Sequence, residues 1–200
     1  MRWTRHLVLL PLLLGLTACA SNPVEDQYYS LVLAADEVPG KVDAEASHTH
    51  IIVGPIQLPE FLERRELAMQ ISDNEIRTAN HHFWAEPLEG AIAKVLVKDT
   101  FLLGDALVVD REAGRWTEEG NCRIRLEFDK FHATNRGRVV NSGRYWISTP
   151  DDSVRQEFDL SHSIASDGYS SAVTALRLSL RELAGQIVAT IDNSSICQSR

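Results

Sequence analysis

The sequence predicts an α+β fold, a single domain with a mainly antiparallel sheet and two main amphipathic helices. The clearest sheet signal is RIRLEF at residues 123–128, where apolar and charged side chains alternate strictly, as they do in a half-buried strand. Two other stretches, one after Pro87 and one after Tyr169, repeat apolar residues three or four positions apart. This spacing is typical of helices with one buried face. A chain of 200 residues that mixes both periods favours an α+β domain with a sizeable core.

Three strands are predicted to form a meander in the C-terminal half. The first contains residues 123–128, and turn residues at 135–137 and 150–152 separate a second strand at 138–148 from a third. The third strand alternates in the same way as the first, so the three strands are expected to share one buried face. Its apolar positions are Val154, Phe158 and Leu160.

Shorter strands are predicted before the meander. Residues 34–47 lack an apolar period and are expected to form a loop, and Gly54-Pro55 is expected to end regular pairing because proline cannot donate to a ladder. The predicted short strands cover residues 28–33, 50–53, 67–71, 75–80 and 106–109.

The first helix is expected to begin at Pro87, whose fixed φ suits the first helical position, and to end at Gly104. The second is expected at about residues 169–191, packed by one face on the sheet. The predicted buried positions are Leu88, Ala91, Ile92, Val95 and Leu96 in the first helix, and Val173, Leu176, Leu180, Leu183 and Ile187 in the second.

Residues 1–18 have the plan of a secretory signal peptide. A positive start at Arg2 and Arg5 precedes a leucine-rich stretch and then small residues. The apolar stretch is well short of the roughly 20 residues that a membrane-spanning helix needs. Leu16-Thr17-Ala18, which precedes Cys19, resembles the lipobox of bacterial lipoproteins. The resemblance implies that Cys19 is the mature N-terminus and carries a covalent N-acyl and S-diacylglycerol lipid.

Such a lipid would fix the chain to a membrane, because several acyl chains together make attachment effectively permanent. The polar residues 19–27 are predicted to be the lipidated cysteine and a tether, and residues 28–197 the folded domain. Ala20 follows the cysteine, where lipoproteins retained in the inner membrane commonly have aspartate. The lipobox resemblance therefore implies an address at the periplasmic face of the cell outer membrane.

The chain is acidic, with a formal net charge of −8, and removal of Arg2 and Arg5 with the signal makes it more so. Nucleic acids and anionic lipid surfaces are bound by basic patches. The composition therefore argues against both as partners, and membrane contact is expected through the lipid alone.

Two cysteines remain once Cys19 is assigned to the lipid. In an oxidising compartment a disulfide between Cys122 and Cys197 would close a long loop, and the chain-entropy model gives it about 4 kcal/mol. The sequence leaves open whether their Cα atoms lie close enough to be bridged.

The sequence carries no G-x-S-x-G elbow, phosphate-binding glycine loop or H-E-x-x-H motif. His48-Thr49-His50 and His81-His82 could offer imidazoles to zinc or copper, but neither a cysteine nor clustered carboxylates nearby complete a site. An exposed or hydrogen-bonded polar role is favoured for these histidines. We therefore expect no enzymatic activity, no metal and no cofactor besides the lipid on Cys19.

Two segments form a compound motif, IIVGPIQLPEFLERRELAMQ at residues 51–70 and HHFWAEPLEGAIAKVL at residues 81–96. Together they resemble the PqiC-type lipoproteins, also described as ABC-type transport auxiliary lipoprotein components. Arg65 stands where that family often has proline, and Phe83 where it often has arginine. The matching positions are Val53, Pro55, Leu58, Pro59, Phe61, Leu62, Glu63 and Arg64, and then Trp84, Ala85, Glu86, Pro87 and Leu88.

The resemblance implies a non-enzymatic subunit of an MCE-type intermembrane lipid transport system. Its partner would be an MCE-domain periplasmic protein, whose tunnel this subunit would dock at the outer membrane and so contribute to membrane integrity. The resemblance further implies that the subunit forms a ring-like homo-oligomer. Two other functions stay open, a regulatory lipoprotein that activates a cell-wall synthase or stabilises the envelope, and a lipoprotein hydrolase.

The proline-rich segment has two interpretations. Prolines remove backbone donors and stiffen the chain, so the segment could present apolar side chains within a charged rim, as a protein interface does. Alternatively, Leu58 and Leu62 enter the core and the prolines only shape a crossover. Trp84 is likewise either an interface anchor or a staple against the following helix. The candidate partner-binding residues are Pro55, Leu58, Pro59, Phe61, Leu62, Glu63, Arg64 and Trp84.

Overall fold

Eight strands and two helices make up the computed structural model of the protein, which describes residues 24–32, 49–104, 107–111, 121–194 and 196–197. The eight described strands belong to one sheet, and the predicted α+β class is confirmed. The strands are β1 (Gln27–Tyr29), β2 (Thr49–Gln57), β3 (Glu66–Ser72), β4 (Glu75–Trp84), β5 (Leu107–Arg111), β6 (Asn121–Thr134), β7 (Arg138–Ser148) and β8 (Ser153–Ser163). The helices are α1 (Leu88–Leu103) and α2 (Tyr169–Ser194), and a short 3₁₀ turn (Glu60–Leu62) follows β2.

Strand β6 organises the sheet. Along one side it pairs antiparallel with β7, which pairs antiparallel with β8, so the predicted meander is confirmed. Along its other side lie β2 and then β3, both parallel to it, while β5 extends the sheet from β2, and β4 and β1 extend it from β3. Most paired residues are antiparallel, although four of the seven strand pairings are parallel.

Both helices pack on one face of the sheet, here called the helix face. The side chain of Asn141 in β7 donates to Ser179 of α2 at 3.1 Å, and the hydroxyl of Tyr145 donates to the Gln186 carbonyl at 3.3 Å. All ten apolar helix positions predicted to be buried are buried. Within the described ranges, neither helix is long and apolar enough to cross a membrane.

Several element ends differ from the predictions. β1 stops at Tyr29 because its parallel partner β4 ends opposite it, at Trp84. Regular pairing does not end at Gly54-Pro55 as predicted: the register of β2 with β6 shifts there, at a cis peptide bond, and β2 pairs again from Ile56 to Gln57. Pro87 precedes α1 as its cap, because its ψ of 128° is extended. The predicted signal peptide, Cys19 and residues 20–23 of the tether lie outside the described residues, and Gln27, predicted as tether, opens β1.

A bulge in β6 changes which face its side chains occupy. Register with β7 shifts between Phe128 and Lys130, so Phe131 joins the core and His132 points to the opposite face, here called the outer face. Gly143 lies opposite this bulge, where a Cβ would come 2.1 Å from the Glu127 carbonyl oxygen. Only glycine lets the two backbones approach so closely.

Cys122 and Cys197 form a disulfide, the possibility that the sequence left open. Their Cα atoms are 5.4 Å apart, within the range that a bridge requires. Cys122 begins the buried run of β6 and Cys197 follows α2. The bridge therefore ties the segment after α2 to the central strand of the sheet.

Candidate functional site

The matched proline-rich segment forms a ridge on the outer face of the sheet. The ridge (residues 58–65) connects β2 to β3, and its Phe61 ring lies 6.0 Å from the His132 ring. His132 pairs with Val140, whose neighbour Asn141 points at α2. Because adjacent strand residues point to opposite faces, the ridge lies on the side of the sheet away from the helices.

Local hydrogen bonds fix the shape of the ridge. Pro59 has φ −65° and ψ 148°, which is extended and keeps the helical turn from starting earlier. Leu62 then donates its N–H to the Pro59 carbonyl at 2.8 Å, and Glu63 donates to the Glu60 carbonyl at 3.2 Å. The single turn presents Glu60, Phe61 and Arg64 to solvent in a defined arrangement.

The structure divides the predicted interface residues of the ridge between core and surface. Leu62 is only 3% exposed, so it belongs to the core, and its prediction as a contact residue is wrong. The turn directs Leu62 inward because the 3₁₀ geometry puts it on the side opposite the charged residues. Half-buried residues are Leu58, Pro59 and Phe61, and exposed residues are Pro55, Glu63 and Arg64.

Trp84 is also part of the core, at 4% exposure, and the interface-anchor interpretation is wrong. It is the last residue of β4, opposite Tyr29 in β1. Its backbone N–H donates to the Arg65 carbonyl at 2.7 Å. Trp84 therefore holds the C-terminal end of the ridge to the sheet.

Two grooves flank the ridge. The first, about 480 Å³, is lined by Glu60, Phe61 and Arg64 from the ridge and by Ile76 and Thr78 from β4. Ile76 is 38% exposed, so it contributes apolar surface to this groove. Sequence reasoning missed Ile76 and Thr78, although the alternation within β4 places both on one face.

The second groove brings the two motif segments together. It has a volume of about 700 Å³ and lies between the ridge and the start of α1. Leu58 and Glu63 line one side, and Pro87, Leu88 and Glu89 line the other. Nearby, Lys94 forms an ion pair with Glu86 at 2.5 Å. The charge of Glu86, just before α1, is therefore balanced within the protein.

The charge of Arg64 is available to a partner. Several other arginines form ion pairs with Asp or Glu, whereas among the described residues Arg64 has no carboxylate partner within 4.0 Å. Arg65 instead lies 6.0 Å from the ring of Tyr28. An exposed guanidinium beside the apolar groove of Phe61 and Ile76 combines the two kinds of contact common in protein interfaces.

The paired histidines have the polar role that the sequence favoured. His81 Nδ1 lies 3.0 Å from Asp26, and His82 Nδ1 lies 2.8 Å from the Tyr29 hydroxyl while its ring stacks on Tyr169. His48 lies outside the described residues. Among those that are described, no three His, Cys, Asp or Glu side chains are grouped closely enough to hold a metal ion.

A family model described as "ABC-type transport auxiliary lipoprotein component" matches residues 29–188. The chain belongs to this family. The family resemblance carried by the compound motif is thereby confirmed, since the match extends from β1 into α2.

Within the family, the "Intermembrane transport lipoprotein PqiC" of Escherichia coli strain K12 is 23% identical to this chain over 164 residues. That alignment covers 82% of the chain and 84% of the relative, and the protein of the same name from Shigella flexneri matches equally well.

Solved structures share the fold. One crystal structure of an uncharacterized protein has a TM-score of 0.71 at 22% identity, covering 84% of this chain and 99% of the other. A Xanthomonas campestris protein has a TM-score of 0.60 at 12% identity, covering 77% and 90%.

Beneath the ridge, His132 is buried and is expected to make the stability of the family domain depend on pH. Burial lowers the pKa of His132, the Ala133 carbonyl that accepts its Nδ1–H opposes this, and the charge of Lys130 lowers the pKa further. The unfolded chain therefore binds more protons as the pH falls below the ordinary histidine value of about 6.5. Stability from neutral His132 is present above that value and is lost as the pH falls through the lowered folded-state pKa.

Urea unfolding at about pH 7.5 and about pH 5 tests this dependence. For one proton, the free energy of unfolding cannot change by more than about 1.4 kcal/mol per pH unit. We expect His132→Gln to lose less stability on acidification than the wild type. An equal loss in both proteins would show that His132 does not carry the effect.

Proposed function

We propose that the chain is a non-enzymatic auxiliary subunit of an intermembrane lipid transport system, anchored to the periplasmic face of the outer membrane by the lipid on Cys19. Family membership and the similarity to two intermembrane transport lipoproteins named PqiC support the transport role. The lipobox-like residues before Cys19 support the anchor. In this role the protein docks an MCE-domain periplasmic protein, assembles as a ring-like homo-oligomer and contributes to membrane integrity.

The ridge is the observation that carries the docking proposal. It belongs to the first segment of the family motif, and its exposed side offers Arg64 beside the groove of Phe61 and Ile76. The turn is already fixed by its own hydrogen bonds, so binding a partner costs little ordering of this segment.

The tether keeps this surface close to the membrane. The described chain begins at Val24, and the five residue steps from Cys19 span at most about 17 Å when extended. The domain therefore works within a short distance of the leaflet that holds its lipid, where a partner spanning the envelope arrives.

Loss of co-purification in an Arg64→Glu/Phe61→Ser variant tests the docking proposal. Both side chains are at least partly exposed, so we expect the fold to persist while capture of the MCE-domain protein from detergent-solubilised envelopes is abolished. Leu62→Asp is unsuitable because it would place a carboxylate in the core.

Arg77→Glu is the matched control. Arg77 is an exposed arginine of β4 that pairs with Glu75 at 3.6 Å and lies outside the ridge and its grooves, so its reversal makes the same change in net charge. Retained capture by the double variant would remove the ridge from the interface. Recovery of a cell-wall synthase in place of the MCE-domain protein would favour the regulatory function instead.

A further inference from the structure

A second surface on the outer face is formed by one cross-strand row of the meander. Trp146 of β7 lies directly between Arg125 of β6 and Arg155 of β8 in the register of the sheet. The Arg125 guanidinium carbon is 4.0 Å from the centre of the Trp146 ring, and that of Arg155 is 5.9 Å away. We call Arg125, Trp146 and Arg155 the arginine–tryptophan row.

The row faces away from the helices. Tyr145 and Ile147, which flank Trp146 in sequence, are buried on the helix face. Trp146 and Arg125 are only half-buried, and Arg155 is exposed. The indole therefore supports two guanidinium groups at the surface of a protein whose net charge is −8.

The positive charge of the row is only partly neutralised within the sheet. Arg125 has no carboxylate partner within 4.0 Å among the described residues, and Arg155 pairs with Glu157 where both side chains are exposed. Exposed pairs of this kind contribute little, about 0–1 kcal/mol, so a ligand can replace Glu157. A guanidinium stacked on an aromatic ring keeps its edge N–H donors available in a fixed plane, which suits a carboxylate or a phosphate.

The next row shows the contrast. There Arg144 donates to Glu127 at 2.7 Å and to Asp129 at 3.2 Å. The hydrogen bond that Glu127 accepts from Arg144, followed by the charge of Asp129, raises the pKa of Arg144. Arg144 is therefore engaged by carboxylates of its own surroundings and does not add to the attraction of the arginine–tryptophan row for an anion.

The position of the tether argues against a bilayer as the source of the anion. β1 is parallel to β4, which is antiparallel to β3, and β3 is parallel to β6, so the chain before Gln27 leaves toward the Ala133 end of β6. Arg125 lies eight residues back along β6 from Ala133, about 26 Å at 3.3 Å per residue. The chain from Cys19 to Val24 spans at most about 17 Å when extended, so the lipid on Cys19 is expected near that opposite end of the sheet.

The edge of the sheet next to the row is open to a strand-like ligand. Among the described strands, β8 pairs only with β7, so the far side of its eleven residues offers backbone donors and acceptors. An extended peptide can add to such an edge and reach the neighbouring side chains with its own.

We propose that the arginine–tryptophan row docks an acidic, extended segment of a protein partner, with its carboxylates bound by Arg125 and Arg155 and its backbone along β8. This is a contact additional to the ridge, and it does not depend on the ridge binding the same partner.

Fluorescence anisotropy of a fluorescein-labelled octaglutamate peptide, titrated with the full-length lipidated protein in neutral detergent micelles, tests the proposal. We expect saturable binding at low ionic strength that salt weakens. Arg125→Gln and Trp146→Leu should each weaken it by about tenfold, since they remove a charge-assisted contact or its support.

Arg77→Gln is the control for net charge, because it removes one positive charge from an exposed position outside the row. Equal weakening by Arg77→Gln and Arg125→Gln would overturn the proposal in favour of a general charge effect, and so would an absence of peptide binding. Vesicles of phosphatidylethanolamine with phosphatidylglycerol provide the second probe. If they bind through Arg125 in preference to the peptide, the row recognises headgroup phosphate and the proposal fails.

Discussion

Replacement of Asp99 by alanine is expected to destabilise the domain by about 3–5 kcal/mol, the usual cost of removing one partner of a buried ion pair. Asp99 of α1 is 3% exposed, and it accepts two hydrogen bonds from Arg177 of α2, at 2.5 Å and 2.8 Å. The Arg177 side chain is itself only 14% exposed. The substitution would remove two charge-assisted hydrogen bonds from a mostly buried guanidinium.

Urea unfolding of Asp99→Ala measures this effect as a lower midpoint with an unchanged slope. Glu86→Ala is the control, because it breaks the Lys94 pair at the exposed start of the same helix and is expected to cost less than about 1 kcal/mol. If the two variants lose equal stability, the α1–α2 pair is not a major contact between the helices.

Removal of the disulfide is the second large effect that we expect. Cys122 and Cys197 are 75 positions apart, and the chain-entropy model assigns about 4 kcal/mol to a loop of that size. For a domain of this length, that loss lowers the melting temperature by roughly 10 °C. Calorimetry of the Cys122→Ala/Cys197→Ala double variant, which leaves no unpaired thiol from the bridge, provides the measurement.

The oxidised and reduced wild-type proteins give an independent comparison, because reduction opens the same loop without changing side-chain volume. We expect reduction to lower the melting temperature in the same direction as the double variant. Equal melting temperatures before and after reduction would show that the bridge does not constrain the unfolded chain.

The periodicity of apolar residues along the sequence was sufficient to predict the meander and the second helix. RIRLEF and its two partners became the meander β6–β8 because each strand buries one face against the helices. The second helix was predicted from the spacing of its leucines, and α2 begins at Tyr169 as expected.

The periodicity could not predict which strands pair when they are distant in sequence. Alternation reports which face of a strand is buried but does not encode the direction of its partner, so the parallel placement of β2 and β3 beside β6 was not predicted. The bulge after Phe128 depends on contact with Gly143 in another strand. It decides that His132 lies beneath the ridge.

The candidate site shows the same division. Sequence similarity identified the segment that became the ridge, and Arg64 is exposed there as an interface requires. Sequence similarity alone could not distinguish the buried residues Leu62 and Trp84 from Phe61, which lines a groove. Burial depends on the packing of β4 against the ridge, and Ile76 enters the site from that strand for the same reason.

Site-specific photocrosslinking in living cells tests the docking of the ridge most directly. A photoreactive residue at position 61 would lie in the groove of the ridge, whereas one at Thr174 would lie on the exposed side of α2, across the sheet. We predict that position 61 forms a crosslink to a periplasmic MCE-domain protein and that position 174 does not. A crosslink to that protein from position 174 alone, or to an unrelated protein from position 61, would contradict the proposed docking.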